Sequence, residues 1–189
     1  MDDIVKKNID IHRQLVSEFE TYLLAKVKLI ASEIIHAFKN GNHLYLCGNG
    51  GSAADAQHVA GEFVGRFRNE RKALPAIALS TDTSVLTCIG NDYSYSDIFK
   101  RQVQAHVKPG DLLWTFSTSG SSPNIIEAVE ESKKRGATVI SFTGKVNSKV
   151  EQLSDLCLAI DSPTVSGAQE LHQIAYHIIC ELVENQFII

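Results

Sequence analysis

The sequence predicts an α/β fold in which a parallel sheet of five strands is covered by helices on both faces. Three observations carry that expectation. Short β-rich runs alternate with helical patterns through the middle of the chain, long amphipathic patterns stand at its two ends, and two loops of unusual composition follow strand runs directly. Alternation at this spacing marks βαβ units, whose crossovers lay helices on both faces of a parallel sheet.

The elements follow in order. From Asn8 to Asn40, apolar residues recur at Ile11, Leu15, Phe19, Leu23, Val27, Ile30, Ile34 and Phe38. Steps of three and four residues predict one amphipathic helix or a broken pair. Asn40-Gly41-Asn42 is a left-handed stop signal. Strands are predicted at 43–47, 76–79, 111–116, 138–142 and 156–160, and helices at 53–67, 96–106, 124–135 and 148–153. The last helix is predicted from Ser166 to Phe187 on the spacing of Leu171, Ile174, Ile178, Leu182 and Val183. Terminal helices this apolar predict that the N-terminal segment, residues 1–40, packs on partner copies in a homo-oligomer. No repeat, low-complexity tract or linker interrupts the pattern, so residues 1–189 read as one domain.

Composition narrows the function. The chain has 189 residues, 44% hydrophobic and 21% charged, with a net charge of −4. A mildly acidic chain with scattered Lys and Arg argues against general nucleic-acid binding. No apolar run approaches the ~20 residues of a membrane helix. The first residues are acidic and carry no apolar block, unlike a signal peptide. Cys47, Cys88, Cys157 and Cys180 form no C-x-x-C pair, which excludes zinc-ribbon and thioredoxin patterns. Three of them sit in apolar stretches as reduced core thiols. A cytoplasmic protein is expected.

Ligands of an open parallel sheet bind beyond the carboxyl ends of its strands. The first loop there reads Gly48-Asn49-Gly50-Gly51-Ser52 and leads into a helix. Its glycines permit close backbone approach to a ligand, and Ser52 is placed to cap the helix, whose N-terminus favours an anion. It is neither G-x-G-x-x-G nor a P-loop, so no nucleotide cofactor is expected. The second loop reads Ser117-Thr118-Ser119-Gly120-Ser121-Ser122-Pro123-Asn124, with Pro123 suited to a first helical turn. Hydroxyls and free N–H groups suit a phosphate monoester. Each loop alone also reads as a tight or solvated turn; two at one end of a sheet point to a small phosphorylated ligand.

His58 and Glu62 lie four apart on one face of the helix after the first loop. They read either as a surface contact or as a pair sharing a metal or a substrate. Gln169, Glu170, His172 and His177 cluster on the last helix, where buried structural histidines are the alternative. Gln169 and His177 are separated by about 12 Å of helical rise. One metal joins both only if the side chains lean together or come from different subunits.

The motifs CGNGGS (47–52), Gly65-Arg66, PAIAL (75–79), GND (90–92), STSG (117–120), Thr143-Gly144 and QELH (169–172) resemble the sugar isomerase (SIS) domain family, specifically its phosphoheptose isomerases. The resemblance spans nearly the whole chain. It implies a doubly wound, flavodoxin-like five-stranded sheet, a homotetramer with sites between subunits, and conversion of sedoheptulose 7-phosphate to D-glycero-D-manno-heptose 7-phosphate for lipopolysaccharide. It also implies a zinc site at His58, Glu62, Gln169 and His177, with Glu62 and His177 as the acid/base pair. Phosphate then binds at Ser117, Thr118, Ser119 and Ser122, with Ser52 near the same end. The sugar is lined by Asn49, Gly50, Gly51, Asn91 and Asp92, with Glu62 and Gln169 also on the substrate.

Two further readings accompany it. The SIS proteins that bind the bacterial replication initiator share the C-G-N-G loop and the A-x-A-Q-H stretch seen at 54–58. They lack acid/base residues at the positions of Glu62 and His177, which this chain retains. Ser166 stands where phosphoheptose isomerases often carry Asp or Thr, which leaves an isomerase of another ketose phosphate open.

Overall fold

The computed structural model describes residues 1–22 and 24–188; Leu23, one of the apolar positions of the N-terminal pattern, lies outside the described residues. That pattern is the broken pair: α1 spans Asp2–Tyr22 and α2 spans Leu24–Lys39. α2 buries Val27, Ile30, Ile34 and Phe38, whereas α1 leaves Ile4, Val5, Ile9 and Val16 exposed. Gly41 ends α2 at φ 77°, the left-handed stop expected there.

Five strands, β1 (Leu44–Gly48), β2 (Ala76–Ala78), β3 (Leu112–Ser117), β4 (Thr138–Thr143) and β5 (Leu156–Ala159), form one all-parallel sheet in the order β2-β1-β3-β4-β5. β1 and β3 are buried along their whole length, as strands covered on both faces must be. Between and after the strands run α3 (Gly51–Val64), α4 (Thr83–Asp92), α5 (Lys100–His106), α6 (Pro123–Lys134), α7 (Lys149–Leu153) and α8 (Val165–Glu184).

The period-two alternation of strand side chains divides the core. Leu44, Leu46, Trp114, Phe116 and Phe142 face Ile30 and Ile34 of α2, Val59 and Phe63 of α3, and Leu171, Ile179 and Val183 of α8. Tyr45, Cys47, Leu113 and Val139 face Val103 of α5 and Ile125 and Val129 of α6. Each of these fully buried aliphatic or aromatic side chains contributes roughly 1.5–3 kcal/mol over an exposed one. No helix among the described residues is long and apolar enough to cross a membrane.

Strand boundaries fall within one residue of those predicted. Three local features differ. α4 is a helix that periodicity does not announce: Ile89 is its one buried residue and its first turns are Thr-Ser-Val-Leu-Thr. Asp82 starts it, accepting from Val85 N–H at 3.0 Å. The helix predicted at 96–106 splits into a 3-10 turn over Tyr95–Asp97 and then α5. Ser52 does not cap α3. Gly50 holds the cap position at φ 56°, and Ser52 is buried inside the first turn. A Cβ on Gly48 would lie 2.4 Å from the carbonyl oxygen of Ser52, so the loop closes too tightly for anything but glycine there.

The order β2-β1-β3 puts the topological switch point between β1 and β3, where α/β sheets open a crevice for ligands. The Gly-rich and Ser-rich loops flank that crevice.

Candidate functional site

β1 delivers the Gly-rich loop to the N-terminus of α3, and β3 delivers the Ser-rich loop to the N-terminus of α6. A hydrogen-bonded amide pair joins them across the switch point. Asn49 Nδ2 donates to Asn124 Oδ1 at 2.9 Å and Asn124 Nδ2 donates to Asn49 Oδ1 at 2.8 Å. Tyr95 Oη adds a bond to Asn49 Oδ1 at 3.2 Å.

In the Ser-rich loop, Pro123 occupies the first turn of α6 as expected, and Ser122 is the cap residue without spending its hydroxyl on the helix. Ser119 Oγ and Ser122 Oγ lie 3.4 Å apart, and Ser121 N–H donates to Ser119 Oγ at 3.3 Å. Ser117 Oγ is buried with no hydrogen-bond partner among the described residues. Gly120, at φ 61°, permits contact with α7: its carbonyl accepts from Val150 N–H at 3.0 Å, and a Cβ would strike Ser148 at 2.3 Å. Ser117 Oγ makes no bond among the described residues and Ser119 and Ser122 make only long ones, which leaves their hydroxyls available to an anion at the N-terminus of α6.

The second centre lies between α3 and α8. His58 Nε2 is 2.9 Å from Glu62 Oε1 and 3.3 Å from His177 Nε2. The three side chains offer one ligand atom each within 4.8 Å of one another. Two imidazole nitrogens and a carboxylate oxygen, each able to give an electron pair to a cation, converge at this point. Ligands at about 2.0–2.1 Å from a tetrahedral zinc are separated from each other by roughly 3.3 Å, so the donor set fits such an ion in type and spacing.

Neighbours hold the cluster in place. Tyr176 Oη donates to Asp55 Oδ1 at 3.3 Å and lies 3.3 Å from His58 Nδ1. Phe67 stacks on His177 with ring centroids 5.6 Å apart. Burial, and then the charge of His58, hold His177 below the ordinary imidazole value although Glu62 pulls the other way. Neutral His177 therefore keeps a lone pair for a cation or a proton.

Gln169 stands at another level of the same helix pair. Its Nε2 lies 3.0 Å from where a Cβ on Gly51 would be, and Gly51 and His58 are separated by about 10 Å of helical rise. α3 and α8 thus meet at two levels, Gln169 with the Gly-rich loop and His177 with His58. Asn91 and Asp92 sit at the exposed end of α4, bonded to each other at 2.8 Å, one turn before Tyr95. Ser166 lies in the first turn of α8, its hydroxyl 3.4 Å from that of Thr164.

His172 is the structural histidine of the last helix. It is 1% exposed, its Nε2 lies 3.1 Å from Thr143 O, and burial lowers its pKa to about 4. Cys47, Cys157 and Cys180 are buried free thiols, with burial pushing Cys157 up to about 11, and Cys88 is exposed.

Sequence reasoning missed Asp55, Tyr176, Phe67, Tyr95 and Asn124. A signal existed for Asp55, which shares a helix face with His58 and Glu62 at i, i+3 and i+7. The others act across long chain separations.

Residues 9–144 match the SIS domain, and the chain belongs to the SIS-domain family. Within that family it is similar to phosphoheptose isomerases. It is 47% identical to the phosphoheptose isomerase of Trichlorobacter lovleyi, covering 98% of this chain and 94% of that one. The structure of a phosphoheptose isomerase from Francisella tularensis superposes with a TM-score of 0.93 at 32% identity over 97% of both chains. That from Neisseria gonorrhoeae gives 0.91 at 36% identity over 97% of this chain and 98% of the other.

Proposed function

We propose that this chain is an aldose–ketose isomerase that converts sedoheptulose 7-phosphate to D-glycero-D-manno-heptose 7-phosphate through an enediol, at the start of heptose precursor synthesis. The observation that carries the reading is the convergence of His58, Glu62 and His177 beside two loops at the switch point, in a chain similar to phosphoheptose isomerases throughout its length.

The Ser-rich loop binds the phosphate through Ser117, Thr118, Ser119 and Ser122, with Ser52 at the same end. Asn49, Gly50, Gly51, Asn91, Asp92 and Gln169 line the sugar. Glu62 takes the proton from C1 of the ketose and returns one at C2, so the carbonyl moves from C2 to C1. His177 serves the oxygens, accepting a proton from one and giving it to the other. His58, Glu62 and His177 would hold a zinc ion; Gln169, whose amide lies against Gly51, would join them as a fourth ligand only by turning toward the cluster. When bound, the ion supplies Lewis-acid polarisation of the carbonyl and adjacent hydroxyl. No nucleotide cofactor enters this reaction.

The reading includes a homotetramer of single-domain chains in the cytoplasm; the exposed apolar face of α1 and a cavity of about 420 Å³ among Val16, Leu24, Val27, Ile174, Ile178 and Leu182 support packing between copies. Residues 1–40 pack on partner subunits in that assembly.

Conversion of sedoheptulose 7-phosphate followed by NMR tests the reading. Steady appearance of the aldose is expected. A protein that binds this sugar phosphate without converting it would move the assignment to another ketose phosphate or to a binding protein.

A further inference from the structure

Asn49 is held from two sides. Its Oδ1 accepts from Asn124 Nδ2 and from Tyr95 Oη, and one of its N–H groups goes to Asn124 Oδ1. A primary amide has two N–H donors, and the second makes no bond among the described residues. Rotating the carboxamide by 180° would set oxygen against oxygen and nitrogen against nitrogen at Asn124, and would abandon the bond from Tyr95. With the Asn124 carboxamide held as it stands, the three bonds select one orientation of Asn49.

Asn124 is 2% exposed and is the second residue of α6, beside Pro123 and the cap residue Ser122. It does not face a ligand itself. Its backbone belongs to the element whose N-terminus carries the Ser-rich loop, so that loop and the Asn49 amide share one rigid support.

We infer that Asn124 is a positioning residue which, with Tyr95, locks the Asn49 carboxamide so that its remaining N–H is presented as a donor to a sugar oxygen in the crevice. The inference rests on the sugar-phosphate reading above and adds the sense of the contact: Asn49 donates and does not accept. The matching ligand feature is a carbonyl or hydroxyl oxygen near the reacting carbons. A donor fixed toward an oxygen that gains charge as the enediol forms acts more strongly in the transition state than in the ground state.

A double-mutant cycle in the full-length protein tests it. Asn124→Ala is expected to lower kcat at least tenfold, with KM for sedoheptulose 7-phosphate within threefold and the Kd for inorganic phosphate within twofold. In an Asn49→Ala background the same substitution should cost less than twofold, because Asn124 acts through Asn49. Tyr95→Phe, at an exposed position where folding is not at stake, should lower kcat about threefold. Independent multiplicative losses, or a parallel loss of phosphate affinity, would show that Asn124 supports the loop rather than the amide.

Protein labelled with ¹⁵N-asparagine separates this claim from the reading beneath it. The Asn49 side-chain amide signals, identified by their disappearance in Asn49→Ala, should shift and exchange faster in Asn124→Ala whatever the substrate. Unchanged signals overturn the inference. Shifted signals in a protein that does not isomerise the heptulose phosphate would uphold it and overturn the substrate.

Discussion

Two polar clusters tie α3 and its following loop to α8, and they are built in opposite ways. In one, Arg71 and Glu184 have side chains 0% and 1% exposed, with Nε and Oε1 3.6 Å apart. Glu184 accepts from the N–H groups of Phe67, Arg68 and Asn69 at 2.8–2.9 Å, and Arg71 donates to the carbonyls of Glu62, Gly65 and Lys72. Both charges are engaged by partners within the chain, and only Arg71 Nε makes no hydrogen bond among the described residues, facing Glu184 at ion-pair distance instead. In the other, the His58 and Glu62 side chains are 39% and 21% exposed, and two imidazole nitrogens face each other at 3.3 Å. A cluster satisfied by its own chain has spent its bonding capacity on the fold. A half-open one with converging lone pairs retains that capacity for a ligand.

Substitutions should separate the two. The largest effect on chemistry is expected from Glu62→Gln, which keeps the shape of the side chain and its backbone bond to Arg71. Turnover should fall more than a thousandfold while phosphate binding and thermal stability stay near the parent's. Turnover within tenfold of the parent would end the assignment of Glu62 as base.

Glu184→Ala should do the reverse. Removing one partner of a buried, hydrogen-bonded ion pair costs about 3–5 kcal/mol, read as a loss in denaturant midpoint at unchanged slope. Burial raises the Glu184 pKa, but its three N–H donors and Arg71 outweigh that and leave it lowered. The carboxylate therefore contributes stability above its unfolded pKa that is lost as pH falls through the folded one.

His172 gives a third, acid-linked effect of comparable type. Its pKa is about 4 when folded against about 6.5 unfolded, so the unfolded chain binds the proton first as pH falls. Stability should be fully present above about 6.5 and decline towards pH 4, by about 3 kcal/mol in all. In His172→Asn that part of the pH dependence should disappear from unfolding curves.

The smallest effect is expected at Arg68, whose guanidinium meets Glu181 at 2.7 Å with both side chains well exposed. Arg68→Ala should change stability by no more than about 1 kcal/mol. A larger loss would blur the distinction between spent and available polar groups.

Much of this was legible in the chain. The strands stand out because buried runs such as LYLC and LLWTF have no helical period. Both loops announce themselves by composition. α4 was illegible because a helix lying on the surface with one buried residue leaves no apolar stripe to read. The partners within the candidate site were illegible for another reason. Asn49 and Asn124 are 75 residues apart, and Phe67 and Glu184 are 117 apart, so no local spacing connects them. Gln169, Glu170, His172 and His177 share a helix, yet the fold alone separates His172 in the core from His177 beside His58.

The most direct test is a zinc titration of metal-stripped protein, with turnover of sedoheptulose 7-phosphate measured on the same samples. One ion per chain is expected, with activity lost on chelation and restored by zinc, and neither binding nor restoration in His58→Ala. Full conversion in the presence of chelator, with no zinc bound, would contradict the view that His58, Glu62 and His177 hold their open valences for a metal.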